Sequence, residues 1–160
     1  MVREYTIIHE PYGIEWLMRN YPPGSWETNV RLGRTHPEAL DAGLTEEEKR
    51  SLMPWWGCAD AVIHLPDRVI IVEFIVRPEW EKAYKLKDYA GLFRMTERYK
   101  DEWGKPIELV AVTPLLDPYH QRRLAEEGIR YNFYTPPQTS AYYETLRARQ
   151  RRPSLTRGVG

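Results

Sequence analysis

The most constraining feature of the sequence is an apolar stretch, residues 58–76, in which two runs rich in Val and Ile flank Pro66-Asp67. Pro and Asp are favoured in tight turns, so the stretch is predicted to fold as a β-hairpin with a two-residue turn. In that register Leu65 pairs with Arg68, and each later pair moves one residue outward on both strands. The second run is apolar on both faces, which predicts a strand that is buried on both sides.

Two carboxylates interrupt this apolar hairpin, and the predicted register places them opposite each other. Asp60 and Glu73 then share one face of the sheet with Cβ atoms about 5 Å apart, where like charges destabilise unless something neutralises them. A divalent metal ion, a shared proton or a nearby cation would each serve. A structural ion-pair network would draw on Arg77, Lys82 or Lys85 and is the alternative to a metal site.

The order of predicted elements indicates an α/β fold. Hydrophobic periodicity, capping residues and turn residues divide the chain into alternating helices and strands around the hairpin. Helices and strands in this order predict helices packed on a mixed central sheet. The predicted elements are a helix at 13–20, a strand at 26–32, a short helix from Thr45 to about Leu52, hairpin strands at 58–65 and 68–76, a long helix at 79–103, a strand at 107–113, a helix from Asp117 to Glu127, and a strand at 129–134.

Length and composition bound the domain organisation. The 160 residues predict one domain over residues 1–140, and the 23 basic and 23 acidic residues give no net-charge evidence for a partner. A single cysteine, Cys58, excludes an internal disulfide and a cysteine-based zinc site. The amino terminus shows no signal-peptide pattern, and no apolar run approaches the roughly 20 residues of a membrane helix. We therefore expect a cytoplasmic protein.

The last segment, residues 141–160, carries arginines without acidic residues after Glu144. Such a tail is typical of an arm that binds nucleic-acid phosphates, although binding an acidic protein or aiding solubility would need the same composition. The candidate nucleic-acid contacts in it are Arg147, Arg149, Arg151 and Arg152.

The region 55–135 resembles the core of the PD-(D/E)XK nucleases, in particular the RecB-like and Holliday-junction-resolvase branches. Asp60 in Gly57-Cys58-Ala59-Asp60 and Glu73 at the end of Val69-Ile70-Ile71-Val72-Glu73 match the two metal-binding acids of that family. The resemblance implies a three-layer α/β/α fold of the restriction-endonuclease type with a mixed central β-sheet. The family's third motif residue is a Lys two positions after the second acid, where this chain has Ile75.

A second motif is similar to the Gln-x-x-x-Tyr helix of RecB-like nucleases and reads Lys85-Leu86-Lys87-Asp88-Tyr89 here. Residues four apart lie on one helical face, so Lys85 and Tyr89 are candidate catalytic residues, and Lys82 one turn earlier is a candidate nucleic-acid contact. The family often adds an acid from its first helix; Glu15 is the first candidate for this metal ligand and Glu27 the second.

The resemblance implies a nuclease that uses Mg²⁺ or Mn²⁺. Magnesium prefers hard oxygen ligands and keeps several waters, so Asp60, Glu73 and the backbone carbonyl of Phe74 would form a sufficient protein shell. Lys85 would orient or help deprotonate the attacking water. The expected function is hydrolysis of DNA in repair, recombination, restriction or phage DNA processing, by a homodimer or a larger nucleoprotein assembly. The alternative is a nuclease-like fold without catalysis that binds DNA or serves a structural role, for instance in a phage virion.

Overall fold

The computed structural model describes residues 4–33, Thr45 and 56–136. The helix predicted from Thr45 to about Leu52 and the arginine-rich tail, with Arg147, Arg149, Arg151 and Arg152, lie outside the described residues. The elements in chain order are α1 Glu4–Asn20, β1 Trp26–Gly33, β2 Trp56–His64, β3 Val69–Phe74, α2 Glu81–Tyr84, α3 Leu86–Phe93, a 3₁₀ helix Glu97–Glu102, β4 Ile107–Thr113, α4 Pro118–Glu126 and β5 Ile129–Phe133.

The five strands form one mixed sheet in the order β1-β2-β3-β4-β5. The pairs β1–β2 and β2–β3 are antiparallel, whereas β3, β4 and β5 run parallel and are joined through helices. One face carries α1, whose Tyr12, Trp16 and Leu17 pack on the sheet. The other face carries α2, α3 and α4, which pack through residues such as Ala83 and Leu124. The predicted three-layer α/β/α fold with a mixed central sheet is therefore confirmed.

The central hairpin has the predicted register. The N–H of Leu65 donates to the carbonyl of Arg68 at 2.9 Å and closes the turn. The ladder then runs from His64 opposite Val69 to Ala61 opposite Val72. Every residue of β3 is buried, as expected for a strand covered on both faces.

Helix α1 begins nine residues earlier than the predicted start at Gly13 and contains Pro11 in its interior. A proline inside a helix removes one backbone hydrogen bond and costs about 3 kcal/mol, which favoured a later start. Pro11 is exposed, while Tyr12 and Trp16 are each only 2% exposed against the sheet. The burial of this apolar stripe offsets the local cost, since tertiary packing supplies most helical stability.

The prediction of a single long helix from Glu79 to Trp103 was wrong. The chain leaves the helix after α3 and returns as a 3₁₀ helix, with Thr96 in an extended conformation between them. The Thr96 hydroxyl donates to the carbonyl of Leu92 and accepts the N–H of Gly33, both at 2.8 Å, which ties this break to the end of β1. The reversal also stacks Tyr99 on Phe93 with ring centroids 5.1 Å apart.

The carboxyl-terminal elements agree with the sequence pattern. Asp117 caps α4 by accepting the N–H of His120 at 3.1 Å, and Gly128 ends the helical segment with a φ of 75°. Within residues 4–33 and 56–136, no helix combines the length and apolarity that crossing a bilayer requires.

Candidate functional site

Asp60 and Glu73 lie where β2 and β3 separate. The ladder between these strands stops at Ala61 and Val72, one residue short of the two acids. Beyond that point, carboxylates replace backbone carbonyls as the hydrogen-bond acceptors. The Asp60 carboxylate accepts the N–H of Phe74 at 2.8 Å, and the Glu73 carboxylate accepts the N–H of Asp60 at 3.2 Å. Each acid therefore occupies the other strand's backbone donor and is fixed in place.

The two carboxyl groups have pKa values shifted in opposite directions. Glu73 is 4% exposed, and burial together with the negative charge of Asp60 raises its pKa well above the ordinary value. Burial also raises the pKa of Asp60, but hydrogen bonding and charge from His9 and the Phe74 amide outweigh it, so the net shift is downward. Asp60 therefore loses its proton before Glu73 as pH rises.

His9 on α1 completes this cluster. Its Nε2 lies 3.1 Å from Asp60 Oδ2 and 3.1 Å from the carbonyl oxygen of Phe74. Both oxygens are acceptors, so Nε2 carries a hydrogen and donates to them. The sequence prediction missed His9 because it began the helix after Pro11. The available signal was spacing: His9 precedes Tyr12 by three residues and Trp16 by seven, on the apolar stripe of one helix.

Close packing of α1 on β3 brings His9 to this position. A Cβ atom on Gly13 would lie 2.6 Å from the ring of Phe74, so only glycine permits this approach. The Phe74 ring also meets Tyr12 and Trp16 edge to face, with centroids 6.1 Å and 5.9 Å away. Phe74 therefore fixes α1 through its ring and offers its carbonyl to the site.

Tyr89 on α3 borders the carboxylate pair from the other face of the sheet. It is 9% exposed, and its ring lies so close to Gly57 that a Cβ atom there would be 2.6 Å away. Burial, and then the nearby carboxyl groups of Glu73 and Asp60, raise its pKa. The hydroxyl therefore keeps its proton at neutral pH and remains a hydrogen-bond donor.

The two candidate lysines differ in their surroundings. The positive charge of Lys82 on α2 lowers the pKa of Glu73, and its ammonium also pairs with Glu79. Lys85 lies at the turn between α2 and α3 and is exposed. The catalytic role of Lys85 stays a prediction, while Lys82 has a described electrostatic link to the pair.

Ile75, at the position of the motif lysine, is 1% exposed. It belongs to the apolar core on the face that carries α2, α3 and α4, together with Trp80 and Ala83. The position that the resemblance assigns to a cation is therefore a packing position here.

The two acids considered as further metal ligands have other partners. Glu15 pairs with Arg19 one turn along α1 at 3.2 Å. Glu27 accepts hydrogen bonds from the hydroxyl of Tyr99 and from His64 Nε2. The residue of the first helix that reaches Asp60 is His9, and the metal role of Glu15 stays a prediction.

A cleft of about 160 Å³ opens beside Asp60 on the α1 side of the sheet. It brings together the middle turns of α1 and the middle of β1 beside Asp60. The lining residues are His9, Glu10, Gly13, Ile14, Thr28, Asn29, Asp60 and Phe74.

The oxygen atoms beside Asp60 are of the kind that a small hard cation prefers. Oxygen atoms of Asp60 and Phe74 converge on one point, which the proton-bearing Nε2 of His9 occupies. Among the described residues, no three His, Cys, Asp or Glu side chains converge as a complete ligand set. A magnesium shell here would combine the two carboxylates with the Phe74 carbonyl and water, as this ion commonly does.

Comparison with known proteins leaves the family open. No protein-family model and no curated protein matches the sequence. The fold is similar to a crystal structure of a repair endonuclease from Pyrococcus abyssi, with a TM-score of 0.40 and 18% sequence identity. The similarity covers 82% of this chain and 45% of that one, so this chain spans less than half of its length. At this distance, the function has to be inferred from the site itself.

Proposed function

We propose that the protein is a nuclease that hydrolyses phosphodiester bonds in DNA with Mg²⁺ or Mn²⁺. The observation that carries the proposal is the adjacent carboxyl pair, in which burial and the neighbouring Asp60 raise the pKa of Glu73. Two adjacent carboxylates repel each other when both are ionised. A divalent cation bound between them would neutralise both charges. Asp60, Glu73 and the Phe74 carbonyl would hold the ion.

A bound metal ion neutralises charge that develops on the phosphate and polarises a water molecule. The chain's own residues supply the rest. Tyr89 remains protonated and can donate a hydrogen bond to a phosphate oxygen. Lys82 supplies a positive charge close to Glu73 and a contact for the substrate backbone. His9 donates a hydrogen bond from Nε2 to Asp60 and so holds that carboxylate in place.

DNA is the proposed partner because of the tail as well as the site. Arg147, Arg149, Arg151 and Arg152 would neutralise backbone phosphates, and binding should weaken steeply with salt. Removing residues 141–160 should then raise the KM for DNA and flatten its salt dependence. A homodimer would place two such sites on one duplex and is testable by sedimentation.

A second candidate function is a nuclease-like module without catalysis, which binds DNA or serves a structural role. The observation that favours it is Ile75, since the position of the motif lysine is filled by core packing. The exposed position of Lys85 points in the same direction. The two functions differ in whether phosphodiester bonds are cut.

The deciding experiment incubates the purified protein with end-labelled single-stranded, duplex and branched DNA in Mg²⁺, Mn²⁺ or EDTA. The nuclease proposal expects cleavage with either metal and at least about a 100-fold loss in Asp60→Asn and Glu73→Gln, since loss of a mere supporting partner of a metal ligand already costs about 10- to 100-fold. Glu126→Gln, an exposed carboxylate on α4, controls for the change in charge. Cleavage that survives in both site variants would assign the activity to a contaminant or another site. Binding of DNA without cleavage under any condition would support the inactive module.

A further inference from the structure

Asn29 has an unusual backbone in the middle of β1. Its φ is 51°, the one positive value at a non-glycine residue within the described part of the chain. This left-handed conformation is rare in strands, and Asn tolerates it better than most residues. A residue held in this way at the edge of a cleft often has a functional reason.

The register places Asn29 opposite Asp60. The β1–β2 ladder pairs Thr28 with Ala61 and Val30 with Ala59, and the rung between these two pairs is missing. That missing rung belongs to Asn29 and Asp60. Asn29, with its unusual backbone conformation, therefore lies opposite Asp60 of the proposed site.

At this rung, the side chains of both strands change the face of the sheet on which they lie. On β1, Trp26 packs against the core under α1, whereas Val30 belongs to the core under α3. Regular alternation would place residues four apart on the same face. On β2, Ala61 belongs to the α1 side and Ala59 to the α3 side, although they are two residues apart. Asp60 thus lies in the half-turn between the two orientations.

This half-turn accounts for the contacts of Asp60. A residue in a regular strand directs its side chain to one face only. The Asp60 carboxylate instead accepts hydrogen bonds from the N–H of Phe74 in the neighbouring strand and from His9 on the α1 side. Its own N–H donates to Glu73.

We infer that Asn29 is a positioning residue for the proposed nuclease: its left-handed backbone turns β1 at the Asp60 rung and so directs the Asp60 carboxylate to Phe74 and His9. The inference rests on the proposed function for its catalytic meaning. The geometric part, that the backbone of Asn29 determines where Asp60 points, holds or fails independently of catalysis.

The test compares Asn29→Gly with Asn29→Val. Glycine adopts positive φ without strain, whereas a β-branched residue opposes it. Arg31→Val, two residues along the same strand and exposed, controls for the β-branched substitution. If Asn29→Val does not fold, Asn29→Ala replaces it as a milder version of the same change.

The first readout is amide hydrogen exchange at Phe74, whose N–H donates to Asp60. We expect exchange to accelerate by about tenfold or more in Asn29→Val and to stay within about twofold of wild type in Asn29→Gly and Arg31→Val, as loss of one hydrogen bond predicts. The second readout is cleavage: kcat should fall by about 10- to 100-fold in Asn29→Val with little change in KM, as for a displaced catalytic group.

Two results would overturn the inference. Unchanged Phe74 exchange in Asn29→Val would show that the backbone of residue 29 does not control Asp60. Equal losses in Asn29→Gly and Asn29→Val would assign the effect to the Asn side chain instead. If the wild type cuts no DNA, the exchange data still decide the positioning role; if Asn29→Val leaves exchange intact while Asp60→Asn abolishes cleavage, the nuclease proposal stands and the positioning role is wrong.

Discussion

Gly13 approaches Phe74 so closely that a methyl group on its α-carbon would lie 2.6 Å from the ring. The contact sets the distance between α1 and β3. Because His9 is one turn before Gly13, the same contact sets the reach of His9 to Asp60.

Gly13→Ala should therefore destabilise the protein. Alanine in a helix interior is normally favoured over glycine by about 0.5–1 kcal/mol. Here the overlap with Phe74 forces a shift of the helix, and overpacking of this kind costs about 1–3 kcal/mol. Urea unfolding with and without the substitution measures the net loss.

Gly91→Ala is the matched control, since it lies inside α3 with open space around its Cβ position. This variant should gain up to about 1 kcal/mol from helix propensity. Equal stabilities of the two alanine variants would mean that α1 does not depend on the Phe74 contact.

Glu73→Gln should stabilise the metal-free protein increasingly as pH rises. The pKa of Glu73 is raised in the folded state, so above the ordinary value of a glutamate the unfolded chain releases its proton first. Folding stability then falls with rising pH until the folded-state pKa is passed, by at most about 1.36 kcal/mol per pH unit. Gln removes this loss, and thermal unfolding between pH 4 and 9 in EDTA would reveal the widening difference.

Asp60→Asn should change the stability of the protein in the opposite direction. The pKa of Asp60 is lowered in the folded state, so its ionised form adds stability above the ordinary value of an aspartate and loses it as pH falls. The variant should be less stable than wild type at neutral pH, and the difference should shrink in acid. Parallel pH profiles for Glu73→Gln and Asp60→Asn would contradict the assignment of charged and neutral forms.

Divalent metal binding should release a proton and tighten with pH. The ion replaces the proton on Glu73, so below the pKa of Glu73 affinity should rise about tenfold per pH unit. Calorimetric titration with Mn²⁺ in two buffers of different ionisation enthalpy measures the protons released. Binding that is independent of pH, or that is retained in Asp60→Asn, would place the metal elsewhere.

Lys82→Met and Lys85→Met distinguish the two candidate lysines. Lys82 carries a charge that acts on Glu73, so its loss should lower kcat by about 10- to 100-fold, as for a residue that supports a metal ligand from outside the ligand shell. Exposed Lys85 should tolerate the change within about threefold. A rise in KM alone for Lys82→Met would mean a contact to the DNA backbone only. The reverse ranking of kcat values would restore the role that the sequence predicts for Lys85.

The hairpin could be predicted from sequence because local rules determine it. A two-residue turn at Pro66-Asp67 and uninterrupted Val and Ile runs allow one register, and that register brings Asp60 to Glu73. The helix and strands that follow Pro106 were predictable for the same reason, since Asp117 and Gly128 are strong local end signals.

The remaining parts of the site depend on contacts between distant residues. His9 was missed because Pro11 opposes a helix locally, while burial of Tyr12 and Trp16 favours it. The break after α3 follows from a hydrogen bond between Thr96 and Gly33, 63 residues apart. The face change at Asn29 could not be predicted from the alternation of apolar and polar residues, because only the contacts of the folded sheet define it.

The separation of these contacts along the chain has a consequence for folding. Asp60 and Phe74 are 14 residues apart, so they meet as soon as the hairpin closes. His9 is 51 residues from Asp60 and arrives only when α1 docks, which closes a longer loop and costs more chain entropy. An intermediate with a formed hairpin would thus hold both acids without the imidazole. The joining of His9 to Asp60 would then report the docking of the amino-terminal helix on the sheet.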